Sequence, residues 1–158
     1  MSNKTASKTT SKNNKNCVTK NYVAYGSNLS VEQMSVRCPD ATIIGTGKIK
    51  DYKLVFRFHA DIEPHKGSYV PVLVWKISKT DEERLDLYEG VAGGYYHQEE
   101  VPILMDDGTE LTGMVYVMNR QTYTELPTDD YLQIIEDGYE HFGLDKKVLI
   151  RALQDAIQ

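Results

Sequence analysis

Residues 22–29, Tyr-Val-Ala-Tyr-Gly-Ser-Asn-Leu, have a composition suited to binding a small anion. Gly26 permits a sharp turn after a short strand, and the small polar residues after it lead into a helix. Successive backbone N–H groups in such a turn can bind an anion, and Ser27 and Asn28 add side-chain donors. The alternative is an ordinary strand-to-helix turn in which Asn28 or Ser30 only caps the helix. The spacing matches neither glycine-rich nucleotide-binding motif.

Glu89 is the candidate acid–base, and it lies in a second segment with the sequence Leu-Asp-Leu-Tyr-Glu-Gly-Val-Ala-Gly-Gly-Tyr-Tyr, residues 85–96. The pattern puts Glu89 at the C-terminal end of a helix, where the macrodipole disfavours a negative charge. A carboxylate there, beside Gly90, the Gly93-Gly94 pair and two tyrosines, is expected to have a raised pKa, as a general acid–base requires. The alternative is an exposed Glu before a C-capping glycine.

The histidines and cysteines do not predict a metal site. His59 and His65 flank a predicted surface loop with Asp61 and Glu63, but their spacing matches no known ligand motif. Cys17 and Cys38 form no CxxC pair, so the sequence predicts neither structural zinc nor redox chemistry. Two cysteines without the spacing of a disulfide framework instead indicate a reducing compartment.

The elements that must position these residues follow from periodicity and capping signals. The first strand covers 22–25, and a capped helix runs from Ser30 towards Arg37. A second capped helix is expected from near Thr80 to Glu89. The remaining elements are predicted at 48–58, 69–77, 95–105 and 109–118 for strands, and at 129–141 and 146–157 for helices. This order predicts an α+β fold with a mixed sheet that can curl into a small barrel with flanking helices.

The chain of 158 residues fits one domain, preceded by a segment of different composition. Residues 1–20 contain five lysines, no acid and few apolar side chains, so we expect a disordered basic tail before a single domain at 21–158. The domain then has 13 basic and 23 acidic residues, a net charge of −10. That charge argues against nucleic acid as the partner. No segment predicts a signal peptide or a membrane span, which favours a cytoplasmic protein.

Taken together, the two segments resemble the γ-glutamylcyclotransferase family, and the resemblance extends from about Tyr22 to the last helix. It implies a small, mixed, largely antiparallel β-barrel with flanking helices. It implies an enzyme that releases 5-oxoproline and a free amine or amino acid from a γ-glutamyl compound. It also implies no metal or organic cofactor, and a possible homodimer. Residues 59–68 do not align securely with the family, so the resemblance does not determine the identity of the leaving amine. The Tyr-Gly-Ser-Asn-Leu form is closer to enzymes for γ-glutamyl amino acids.

The resemblance also assigns roles to residues. Glu89 corresponds to the single catalytic acid–base, while Tyr131 and Tyr96 correspond to tyrosines of the substrate site. The predicted substrate-binding residues are Tyr22, Val23, Ala24, Tyr25, Gly26, Ser27, Asn28, Tyr96 and Tyr131.

Two other functions are open. One is a small-molecule binding module that has kept the fold without catalysis, and the other is an adaptor that acts through the lysine-rich tail.

Overall fold

A computed structural model describes residues 18–157 of the chain. The elements in chain order are β1 (Thr19–Ala24), a 3-10 turn (Ser27–Leu29), α1 (Val31–Arg37), β2 (Thr42–Arg57), β3 (His59–Ser78), α2 (Lys79–Tyr88), β4 (Tyr96–Met105), β5 (Glu110–Met118), α3 (Asp129–Phe142) and α4 (Lys146–Ile157). Thr19 and Lys20, which the composition assigns to the basic tail, are the first residues of β1. The tail before residue 18, with Cys17, lies outside the described residues.

The five strands form a closed barrel in the order β1-β3-β2-β4-β5. Every pair is antiparallel except β1 with β5, where Tyr22 faces Met114 in a parallel register. Closure at this point depends on Gly113, since a Cβ there would lie 2.5 Å from Cγ2 of Val23. The predicted fold, a mixed and largely antiparallel barrel with flanking helices, is confirmed.

Apolar side chains on the strands fill the core, and helices close over it. Phe56, Ile62, Val72 and Ile103 are fully buried. Helix α3 packs closely on the 3-10 turn because Gly138 faces Leu29, where a Cβ would come within 2.6 Å of the leucine Cβ. This contact holds α3 next to the segment that follows β1.

The segment 59–68 was expected to be a loop, and that expectation is wrong. β2 and β3 form one long hairpin, in which Arg57 pairs with His59 and Tyr52 pairs with Pro64. The chain reverses at Phe58, which has a left-handed φ of 71°. A phenylalanine is rarely found in this conformation, so residue preferences give no signal for a turn at that point.

The start of α2 also differs from the prediction. Ser78, not Thr80, is the N-cap, and its hydroxyl accepts a hydrogen bond from the Asp81 N–H at 3.1 Å. The Asp81 carboxylate accepts from the Ser78 N–H at 3.4 Å, completing a capping box two residues before the predicted one. None of the helices in residues 18–157 is long and apolar enough to cross a membrane.

Candidate active site

The turn after β1 and the end of α2 meet at one cavity of about 250 Å³. The starts of β3, β4 and α3 complete its wall through His59, Ala60, Tyr96 and Tyr131. Most of the predicted site residues line it: Tyr22, Val23, Tyr25, Gly26, Ser27, Asn28, Glu89, Tyr96 and Tyr131. Ala24 does not line it and is buried in the hydrophobic core.

Glu89 follows the last helical residue of α2, and its N–H donates to the Leu85 carbonyl at 2.8 Å. Gly90 adopts a left-handed φ of 63°, which turns the chain away from the helix axis and leaves Glu89 facing the cavity. Burial raises the pKa of the Glu89 carboxyl to about 7, and the nearby Arg37 cation offsets part of that rise. Among residues 18–157 no group donates a hydrogen bond to the carboxylate. It therefore has the pKa and the free lone pairs of a proton acceptor.

The turn presents backbone donors to the same cavity. Within the part of the chain that the structure describes, the N–H groups of Gly26, Ser27 and Asn28 have no acceptor. Gly26 lies against the opposite wall, since a Cβ there would be 3.3 Å from Ala60 Cβ and 3.4 Å from the Tyr131 hydroxyl. Three successive free N–H groups at a narrow point can hold a carboxylate or a developing oxyanion.

Asn28 holds the turn in place. Its side chain donates to the Tyr22 hydroxyl at 2.9 Å and accepts from Arg37 Nη1 at 2.8 Å. Its backbone carbonyl accepts from Trp75 Nε1 at 3.1 Å. Because Asn28 is buried and engaged on three sides, it orients the turn as well as lining the cavity.

The tyrosines fix the remaining wall through their hydroxyl groups. Tyr25 donates to the Tyr116 carbonyl at 2.7 Å, and Tyr96 donates to the Ala60 carbonyl at 3.0 Å. Tyr131 accepts from the Ala60 N–H at 3.0 Å, so its own proton is free to be donated into the cavity. Burial raises the pKa of Tyr131 to about 12, which keeps it a neutral donor at physiological pH.

Arg37 and His59 belong to the cavity wall, although the sequence analysis did not propose them for the site. Arg37 ends α1, and its guanidinium lies 4.4 Å from the centroid of the Tyr88 ring. The signal for Arg37 was its spacing from Gln33, which puts both polar side chains on one face of the helix after the turn.

His59 was considered only for a metal, and burial lowers its pKa. Asp61 and Glu63 instead bind Arg57, each at 2.7 Å. Within residues 18–157 no group of His, Cys, Asp or Glu is arranged to hold a metal ion.

Comparison with known proteins decides the family. The family model described as "Gamma-glutamyl cyclotransferase, AIG2-like" matches residues 22–138, which contain every residue proposed for the site. The chain belongs to this family. The resemblance identified from the two segments is therefore confirmed, and the chain is a cyclotransferase enzyme.

Individual members of the cyclotransferase family support the same assignment. The human γ-glutamylcyclotransferase is 33% identical over 135 residues, which cover 78% of this chain and 71% of the relative. A solved structure of a γ-glutamyl cyclotransferase superposes with a TM-score of 0.75 at 31% identity, covering 85% of this chain and 86% of the other. YkqA of Bacillus subtilis has a TM-score of 0.74 at 20% identity, over 87% of this chain and 55% of its own, and shares the fold.

Proposed function

We propose that the enzyme releases 5-oxoproline from a γ-glutamyl compound, with Glu89 as its single acid–base. One observation carries the proposal. A partly buried carboxylate whose pKa is raised to about 7 lines the same 250 Å³ cavity as Gly26, Ser27 and Asn28, whose backbone N–H groups have no acceptor among residues 18–157. A cyclisation of this kind needs a proton acceptor and an anion site at such close range.

The reaction uses Glu89 twice. The α-amine of the γ-glutamyl group loses a proton to the Glu89 carboxylate as its nitrogen forms a bond to the γ-carbonyl carbon. The carbonyl oxygen becomes an oxyanion, which collapses as the bond to the leaving nitrogen breaks. The proton held on Glu89 passes to that nitrogen, so the carboxylate is regenerated and a neutral amine departs. A pKa near 7 suits both transfers, because the group can accept and release a proton without a large free-energy cost.

The turn and the tyrosines supply binding and orientation. The N–H groups of Gly26, Ser27 and Asn28 are suited to hold the glutamyl α-carboxylate or the oxyanion, and Tyr131 has a hydroxyl proton free for the same purpose. The attack is intramolecular, so a cavity that holds the glutamyl chain folded removes much of its entropic barrier. The proposal therefore assigns Glu89 to proton transfer and the turn to binding.

The proposal also includes the cellular compartment and the oligomeric state of the enzyme. The buried free thiol of Cys38 supports a reducing compartment, in agreement with the expected cytoplasmic location. We expect a homodimer from the family resemblance, and sedimentation of the purified full chain tests that expectation.

The proposed function is tested by incubating the wild-type protein with a panel of γ-glutamyl amino acids and γ-glutamyl amines. We expect 5-oxoproline and the free amine in equal amounts, measured by chromatography. Binding of these compounds without any 5-oxoproline would contradict the enzyme and support the binding module instead.

A further inference from the structure

A groove between α1 and α2 continues from the catalytic cavity. It has a volume of about 480 Å³ and is lined by Val36, Arg37, Arg84, Leu87 and Tyr88. Arg37 and Tyr88 also line the cavity that contains Glu89, so the two spaces share a wall. Tyr88 directly precedes Glu89, which places the inner end of the groove next to the proposed acid–base.

The two arginines of the groove form no salt bridge with an acid of the described chain. Neither Arg37 nor Arg84 has a carboxylate within 4.0 Å among residues 18–157. Arg37 donates through one nitrogen, Nη1, to Asn28 Oδ1 at 2.8 Å and to Ser27 Oγ at 3.5 Å, and its guanidinium lies over the Tyr88 ring. A guanidinium has five donor hydrogens in a planar fork, so one fixed on a single nitrogen can still bind a carboxylate.

The apolar part of the groove is open to solvent. Val36 is 74% exposed and Leu87 is 79% exposed, on facing helices beside the two arginines. Large side chains of this kind next to unpaired cations fit a ligand that has both an apolar part and a negative charge.

The reaction geometry indicates which part of the substrate lies here. The nitrogen that leaves must be within hydrogen-bond reach of Glu89 to receive its proton. The atoms beyond that nitrogen then continue past Tyr88, while the glutamyl part stays at the turn. We infer that Arg37 binds a carboxylate on the leaving amine, with Arg84 adding to the positive potential and with Val36 and Leu87 contacting the amine's side chain. This inference rests on the proposed function, and it selects γ-glutamyl amino acids over neutral γ-glutamyl amines.

A matched pair of substrates tests the role of Arg37. γ-Glutamylalanine and γ-glutamylalaninamide have the same size, and only the first has a charged leaving group. The readout is the ratio of kcat/KM for the acid to kcat/KM for the amide. Changes in Glu89 protonation or in the position of Asn28 act on both substrates and cancel in this ratio. We expect a wild-type ratio of about 10 to 100, as for one charge-assisted hydrogen-bonded pair.

Three variants separate the possible roles of the arginines. Arg37→Gln should bring the ratio close to one. Arg84→Gln should lower it by a smaller factor of about two to five, because Arg84 acts through potential and not through direct contact. Arg151→Gln, which removes an exposed charge from α4 and lines neither space, should leave the ratio at its wild-type value.

Two results overturn the inference. One is a wild-type ratio near one. The other is an Arg37→Gln protein whose rates on acid and amide fall by the same factor, because Arg37 would then serve the glutamyl α-carboxylate or the turn.

A wild-type protein that releases no 5-oxoproline from either compound contradicts the proposed function separately. Calorimetric binding of the same two compounds then decides the role of Arg37. The role is supported if wild type binds γ-glutamylalanine more tightly than the amide and Arg37→Gln abolishes this difference. Equal binding of the two compounds, or no binding of either, overturns it.

Discussion

At the scale of single residues, the acid–base role proposed for Glu89 predicts that its pKa sets the pH dependence of the reaction. The free enzyme must hold Glu89 as a carboxylate to accept the amine proton, and its pKa is about 7. We expect kcat/KM to fall as the pH drops below about 7, well above the ordinary range of a glutamate. A pH profile of kcat/KM, measured at substrate concentrations well below KM, checks this. A limb near pH 4.5 would show that the site does not desolvate Glu89.

Arg37 should shift that limb in a predictable direction. Its positive charge lowers the pKa of Glu89, so Arg37→Gln should raise the pKa and move the acid limb to higher pH. The measurement uses γ-glutamylalaninamide, whose leaving group has no carboxylate, with Arg151→Gln as the control for charge alone. If the acid limb of the kcat/KM profile lies at the same pH in Arg37→Gln as in wild type, the proximity of Arg37 and Glu89 is contradicted.

The raised pKa of Glu89 also has a cost in stability. Its folded-state pKa of about 7 lies above the ordinary value of 4.5, so the ionised group destabilises the fold. The destabilisation is absent below about pH 4.5, develops as the pH rises to about 7 and is complete above it. Glu89→Gln should therefore have a higher free energy of unfolding than wild type at pH 8, by up to about 3 kcal/mol, and show little gain at pH 4. Equal gains at both pH values would contradict this account.

The location of Glu89 and of the turn at one cavity could be predicted because residue types and helix ends are visible in the sequence. Arg37 could not, because its role depends on Asn28 and Tyr88, which come from the turn and from α2. The contacts of Arg37 exist only after α1 and α2 have packed beside the barrel.

At the scale of the elements, α2 positions Glu89, and its N-cap fixes where the helix begins. Ser78→Ala removes the hydroxyl that accepts from the Asp81 N–H, and we expect it to lower the free energy of unfolding by about 1 kcal/mol. Thr80→Ala is the matched control, since Thr80 lies inside the helix and its loss should change stability little. Chemical denaturation of both variants makes the comparison. A larger loss in Thr80→Ala would favour the cap predicted from the sequence.

The strands and helices were predicted well where their signals are local. The helices at 129–142 and 146–157 and the hairpin at 96–118 agree with the predicted segments to within one or two residues. The hairpin of β2 and β3 was missed because its reversal at Phe58 is set by tertiary contacts. The Phe58 N–H donates to the Glu125 carbonyl at 3.0 Å, and Glu125 lies far along the chain. No pattern near residue 58 contains this information.

At the scale of the whole molecule, the barrel should fold without the basic segment that precedes it. Deleting residues 1–17 should leave the melting temperature and the rate of 5-oxoproline release unchanged, because that segment offers little apolar surface to bury. Deleting residues 1–20 should lower the melting temperature. It removes two residues of β1 and the ion pair between Lys20 and Glu82. Equal effects of the two deletions would contradict this boundary.

The central claim is that Glu89 transfers the proton, and Glu89→Gln tests it most directly. Glutamine keeps the shape of the side chain but cannot exchange a proton in the neutral range. With a γ-glutamyl amino acid that the wild type converts, kcat should fall by about two to four powers of ten, while substrate affinity changes little because the turn holds the glutamyl group. Glu83→Gln, an exposed change on the same helix, should keep wild-type turnover. A folded Glu89→Gln protein that releases 5-oxoproline at nearly the wild-type rate would contradict the account.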